Sequence, residues 1–175
     1  MDELSGYQVD SCALHEAAHA VAAIEAMMLG ISIRLRHDTS ERGISTEADT
    51  LYSCPVLAEE PTWRLLRRKL LVAFAGPAWE AFKAGEPDEC RPSLEVQKDD
   101  RLAAYGIIRK LIRAGIRGAS LKNCVLDVWQ EAKSLPSRCR QQIVTIGRHL
   151  EQLRHLDDSQ IRMLYAEASF HSAQR

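Results

Sequence analysis

Residues 10–30 read DSCALHEAAHAVAAIEAMMLG, and the reading of this stretch decides the architecture. Asp10 or Ser11 is a good N-cap and Gly30 a stop signal, so the pattern predicts a helix reaching Met28 or Leu29. Between those ends Ala13, Leu14, Ala17, Ala18 and Ala20 to Ile24 leave almost no polar face. A helix that is apolar all round is a buried one, and the remaining chain must wrap it. His15, Glu16 and His19 interrupt that apolar surface. Buried polar groups cost several kcal/mol unless something pairs with them, so these three side chains demand a partner.

Downstream, Ile31, Ile33 and Leu35 alternate with Ser32, Arg34 and Arg36, which reads as a strand. Asp38 to Gly43 is turn-like, Ile44 to Glu47 is a short returning strand, and residues 48–60 have no period. Pro61 opens a second helix to about Gly85, with Trp63, Leu66, Leu70, Ala73, Phe74, Pro77 and Ala81 as its inner face. Residues 85–97 read as a loop. A third helix spans Lys98 to Ala114 and stops at Gly115. Leu121 to Ala132 and Ser137 to Leu153 follow, broken near Pro136, with a short last helix after Asp157 and Asp158. The expectation is a mainly α fold with one small β-sheet or hairpin inserted after the first helix. It forms a single domain over 1–175, with a catalytic core at 10–115, C-terminal helices at 116–165 and a tail at 166–175.

Composition narrows the function classes. The 175 residues are 46% hydrophobic with a formal net charge of −1, which suits one ordinary core. That charge argues against a dedicated nucleic-acid binder, which needs a basic surface to displace counterions. Leu70 to Trp79, the longest apolar run, is broken by Gly76 and Pro77 and is shorter than the roughly 20 residues of a bilayer span. Met1 to Ser5 is acidic, without the layout of a signal peptide. The five cysteines, Cys12, Cys54, Cys90, Cys124 and Cys139, form no CxxC pair and suit a reducing, cytoplasmic setting.

The chemistry lies in His15-Glu16-Ala17-Ala18-His19. Residues i and i+4 stack on one helix face, so both imidazoles can aim at one point, as two ligands of a tetrahedral Zn²⁺ do. Glu16 is then placed to take a proton from a metal-activated water, and the combination is suited to amide hydrolysis. A chance HExxH is expected on the order of once per hundred chains of this composition. The metzincin continuation is excluded, because Ala22 and Glu25 stand where it needs Gly and His. A third ligand is required. Glu41 sits in a turn. Glu80 lies in phase with the apolar side of the second helix. Asp100 shares a face with Ala103, Ala104, Ile107, Ile108 and Leu111, whereas Asp99 shares one with Gly106 and Lys110. Helical phase favours Asp100, with Glu80 as an acceptor from a histidine Nδ1–H and Glu80 or Asp99 as alternative ligands. Cys12, three residues before His15 on the same face, is within reach of the metal, but a small buried thiol is the favoured reading. Arg64, Arg67, Arg68 and Lys69 read as a solvated face, and His37, His149, His155 and His171 have no ligand spacing.

On these residues the chain resembles the peptidase domain of FtsH-type zinc metalloproteases. His15-Glu16-Ala17-Ala18-His19-Ala20-Val21 is similar to that family's HEAGHAV. Ala75-Gly76-Pro77-Ala78-Trp79-Glu80 stands at its GGRAAEE, and Lys98 to Tyr105 at its SNDLxxAT segment, whose Asp is the third zinc ligand. Matching the alanine four residues on puts that ligand at Asp100. The resemblance covers roughly residues 10–165, with Ala18 for a glycine and Pro77 for an arginine as departures. It implies one Zn²⁺ per chain on His15, His19 and Asp100, with Glu16 as catalytic acid and base, acting on a polypeptide substrate. It also implies that Ile31 to Arg36 is an edge strand, with Ile31, Ile33, Leu35, Gly43 and Ile44 along the track of an extended peptide. No Gly-Lys dipeptide and hence no P-loop occurs in these residues, so the expectation is a stand-alone, ATP-independent relative. Assembly into a homo-oligomer through helices four and five, or an ATPase acting in trans, is compatible with it. The rival expectation is a metal-binding scaffold of the same fold without turnover.

Overall fold

The computed structural model describes residues 9–40, 43–55, 60–85 and 98–173, leaving aside the side chains of 37–48, 98 and 171–173. Helix α1 (Ser11–Glu25) begins where the Asp10 side chain accepts from the Cys12 N–H, one of the orphan donors of the first turn. Its end differs from expectation. The helix stops at Glu25 because Met27 takes a left-handed φ of 54°, and Met27 and Met28 donate back to the carbonyls of Ile24 and Ala23. That is a Schellman closure with methionine in the place glycine usually holds, and the following Met28 is fully buried as its hydrophobic contact. Arg68 donates to Ala26 O at 2.9 Å and Arg162 to Met28 O at 2.6 Å, so cations occupy the negative end of the helix.

The chain then forms a hairpin longer than its periodicity suggests, β1 (Leu29–Ser40) against β2 (Gly43–Ser53). β3 (His155–Leu156) closes the other side of β1 to give the order β2-β1-β3, all antiparallel. The expectation that Ile31 to Arg36 is an edge strand is therefore corrected. Ile33 and Arg34 pair with β3, Leu35 N–H donates to Arg154 O, and Ile31 N–H to Asp158 Oδ1. Ile31, Ile33 and Leu35 point into the core rather than towards a ligand. Gly43 and Ile44 lie at the start of β2, opposite Ser40 and Thr39.

Helix α2 (Thr62–Ala84) ends on Gly85 at φ 69°, and α3 (Lys98–Arg113) just before Gly115. Trp63 is not on the inner face. It is 39% exposed, with the Arg64 guanidinium over its ring, because it precedes the point where α2 enters the core at Leu66. Arg68 leaves the solvated face assigned to it and forms a nearly buried pair with Glu60 at 2.7 Å. Arg67 pairs with Glu131 at the same distance. Helix α4 (Gly118–Arg138) runs through Pro136, and the break falls at Cys139 before α5 (Arg140–Leu153). Pro136 sits in the last turn, where its missing N–H costs little further helix. The last helix, α6 (Asp158–Ala173), is sixteen residues long and takes in most of the expected tail.

The fold is mainly α with one small sheet. α1 lies at its centre, flanked by α2, α5 and the hairpin, with α3 and α4 on α2 and α6 on α5. Phe74 and Trp129 meet edge to face at 5.5 Å, tying α2 to α4 within one core that spans both the expected catalytic and C-terminal parts. No helix among the described residues is long and apolar enough to cross a membrane.

Candidate metal centre

Three elements converge on one point. His15 and His19 project from successive turns of α1, Asp100 from the first turn of α3, and α2 crosses beneath them. His15 Nε2 lies 2.9 Å from Asp100 Oδ2, His19 Nε2 3.3 Å from Asp100 Oδ1, and the two Nε2 atoms are 3.1 Å apart. Asp100 thus reaches both imidazoles, one carboxylate oxygen to each, at separations near the roughly 3.3 Å between neighbouring ligands of a tetrahedral zinc ion. The histidines are buried and Asp100 is partly buried. Asp99 is exposed and outside the cluster, as helical phase suggests.

The outer nitrogens are held as well. His19 Nδ1–H donates to Val72 O at 2.7 Å, which directs its Nε2 lone pair inward. His15 Nδ1 is 3.8 Å from Glu80 Oε1. Glu80 in turn accepts from Ser11 Oγ at 3.3 Å, and Lys83 Nζ lies 3.7 Å from its other oxygen and donates to Ser11 Oγ. Glu80 thus stands beside His15 rather than within the His15, His19 and Asp100 group.

Gly76 makes this convergence sterically feasible. A Cβ built there would fall 2.2 Å from His15 Nε2 and 2.5 Å from His19 Nε2. Any side chain would fill the space where the ligand atoms meet, so α2 passes the imidazoles with bare backbone. The donor set also fits a divalent cation. Two imidazoles whose Nε2 atoms face each other, with one carboxylate, present converging lone pairs that a cation or shared protons must neutralise.

The titration behaviour reflects the same crowding. Burial works to lower His15, but hydrogen bonds to Asp100 and Glu80 and the charges of Asp100 and Glu16 outweigh it and raise it to about 9. Burial works to raise Asp100, yet hydrogen bonds and charge from both histidines hold its carboxyl well below the ordinary carboxylate range. Glu80 is lowered by its hydrogen bond with His15, against burial. Cys12 is pushed up to about 11 by burial and by Glu16, Asp10 and Glu80, and its thiol is outside the cluster.

The Glu16 side chain is held from the sheet. Thr50 of β2 donates its hydroxyl to Glu16 Oε2 at 2.6 Å, with Glu16 O at 3.4 Å from the same hydroxyl. Sequence reasoning missed Gly76, Val72 and Thr50. A glycine inside a helix costs about 1 kcal/mol relative to alanine, so Gly76 carried a signal that it was kept for space. Thr50 sits in an aperiodic stretch and the Val72 contribution is backbone, so neither left one. Glu41 lies outside the described residues, and the side chain of His37 is not described. No protein-family model matches the chain, and no match to it was found among curated proteins.

Proposed function

We propose that the chain is a zinc-dependent, ATP-independent endopeptidase that hydrolyses extended or unfolded polypeptides, related to the FtsH-type peptidase domain. The observation that carries this reading is the meeting of His15, His19 and Asp100 over the bare backbone of Gly76, with a buried carboxylate next in sequence. His15 Nε2, His19 Nε2 and a carboxylate oxygen of Asp100 would hold one Zn²⁺. When bound, the ion supplies Lewis acidity, which makes water a better nucleophile and polarises the scissile carbonyl.

The rest falls to the chain's own side chains. Glu16 takes the proton of the attacking water and returns it to the departing amide nitrogen. Val72 O and Glu80 keep the imidazoles in the orientation that aims Nε2 inward. The outer edge of β2, unpaired among the described residues, offers main-chain groups to an extended substrate. The thiols Cys12, Cys54, Cys124 and Cys139 form no disulfide, which accords with a reducing, cytoplasmic setting.

The test is Glu16→Gln against an unfolded, fluorescently labelled casein, with and without a zinc chelator. The variant is expected to retain one zinc per chain and to lose about 10²–10⁴-fold in cleavage rate. Cleavage by Glu16→Gln at the wild-type rate, or wild-type cleavage indifferent to chelator, would refute the reading. Stoichiometric metal with no cleavage by the wild type would leave a metal-binding scaffold instead.

A further inference from the structure

On the core-facing side of the hairpin, Thr50 places a hydroxyl beside a buried apolar strand. Thr50 pairs directly with Ile33, which is fully buried. Directly opposed residues present their side chains on the same face, so Thr50 looks at α1. Its hydroxyl has one proton, and the shorter contact, 2.6 Å to Glu16 Oε2, is where that proton goes. Distances this short mark a charge-assisted bond to a carboxylate. Among the described residues no other side chain or backbone group donates to the Glu16 carboxylate. One oxygen is therefore anchored, and Oε1 is left to exchange a proton.

The register adds a second property. Leu35 N–H points to Arg154 and Ile31 N–H to Asp158, so the odd residues of β1 turn their main chain away from β2. Ile33 and Thr50 are then a non-hydrogen-bonded pair, in which each residue turns its N–H and C=O away from the other. For Thr50 that direction is the open outer edge of β2. One residue thus addresses that edge with its backbone and Glu16 with its side chain.

We infer that Thr50 is the positioning residue of Glu16, fixing Oε2 so that Oε1 is presented for proton transfer, and that it links this carboxylate to the strand edge that receives the peptide. The inference rests on the endopeptidase reading for its meaning, but the Thr50–Glu16 tie can be tested without activity. Thr50→Val keeps the branched shape and strand preference while removing the hydroxyl, and Thr50→Ser restores it.

The experiment has two arms on the full chain. In the chelated protein, thermal unfolding is measured for wild type, Thr50→Val, Glu16→Ala, which leaves no acceptor for the hydroxyl, and the double variant. Thr50→Val is expected to lower Tm by less than half as much in the Glu16→Ala background as in wild type. Equal losses in both backgrounds would overturn the tie, whatever the enzyme does. In the zinc-loaded protein, Thr50→Val is expected to keep one zinc per chain and a KM within about twofold, while kcat falls about 10- to 100-fold. Thr50→Ser should recover kcat to within about threefold of wild type. Unchanged kcat in Thr50→Val, or Thr50→Ser as slow as Thr50→Val, would overturn the positioning role. A wild type that never cleaves, together with a non-additive Tm cycle, refutes the endopeptidase reading and leaves the structural tie standing. Should Thr50→Val not fold, Thr50→Ala replaces it in both arms with the same expected outcomes.

Discussion

Two glycines lie against opposite sides of α1, and they do different work. A Cβ on Gly76 of α2 would run into the rings of His15 and His19 at 2.2–2.5 Å. A Cβ on Gly147 of α5 would meet the Leu14 Cδ2 methyl at 2.9 Å, with the nearest backbone at 3.5 Å. The first set of atoms is pinned by Val72 O and Asp100 and cannot retreat. The second is the far end of a flexible side chain that is itself only partly buried. Both positions let helices approach closely, but only at Gly76 does the space that is kept open hold converging lone pairs. Gly147 serves packing, whereas Gly76 keeps open the space between three candidate ligands.

The largest expected effect follows from filling the chemical gap. Gly76→Ala should abolish stoichiometric zinc binding and destabilise the chelated protein by about 1–3 kcal/mol through overpacking, read by metal analysis and urea unfolding. Full zinc binding by this variant would show that α2 does not border the ion. Next in size, Asp100→Asn should weaken zinc binding by at least about 100-fold while the fold survives, because Asn keeps the shape of the carboxylate but not its charge. A competition titration with a chromophoric chelator reads this, and an affinity equal to wild type would return Glu80 or Asp99 to consideration.

A smaller effect concerns pH in the chelated protein. His15 is raised to about 9, so its contribution to stability is fully present below its unfolded value of 6.5 and is lost as pH climbs through 9. Asp100 is depressed, so its contribution is present above 3.8 and lost as pH falls below it. The Tm of the chelated chain should therefore decline between pH 6.5 and 9, and Asp100→Asn should flatten that decline. Zinc-loaded protein should show no such fall, because metal binding strengthens as protons leave the ligands. A chelated protein with constant Tm over that range would contradict the ring-to-carboxylate pairing. Smallest of all, Gly147→Ala should shift stability by no more than about 1 kcal/mol, since the gain in helix propensity offsets the push on Leu14. Its zinc binding should match wild type.

The same contrast explains what could be read from the chain. The histidine pair and Asp100 were legible because helical spacing turns sequence separation into direction, and α1 and α3 are regular where it matters. The strand edge was misplaced because alternation in Ile31 to Arg36 reports a buried face and says nothing of which neighbours pair; β3 comes from residues 155–156, far along the chain. The end of α1 was overshot because the stop is a methionine in a left-handed conformation, and the Arg68 and Arg162 guanidiniums that donate to the carbonyls of Ala26 and Met28 are revealed by no local pattern. Thr50 was invisible for a related reason. Its importance comes from a register that places it under Glu16, and residues 48–60 show no period from which a register could be read.

The proposed chemistry requires a single cation between α1 and α3, and metal content measures this most directly. Protein loaded with zinc, then dialysed against buffer with a weak competing chelator, should carry one equivalent per chain, and the Gly76→Ala and Asp100→Asn variants should carry almost none. Wild-type protein that emerges metal-free, or variants that hold as much zinc as wild type, would contradict a cation held by His15, His19 and Asp100.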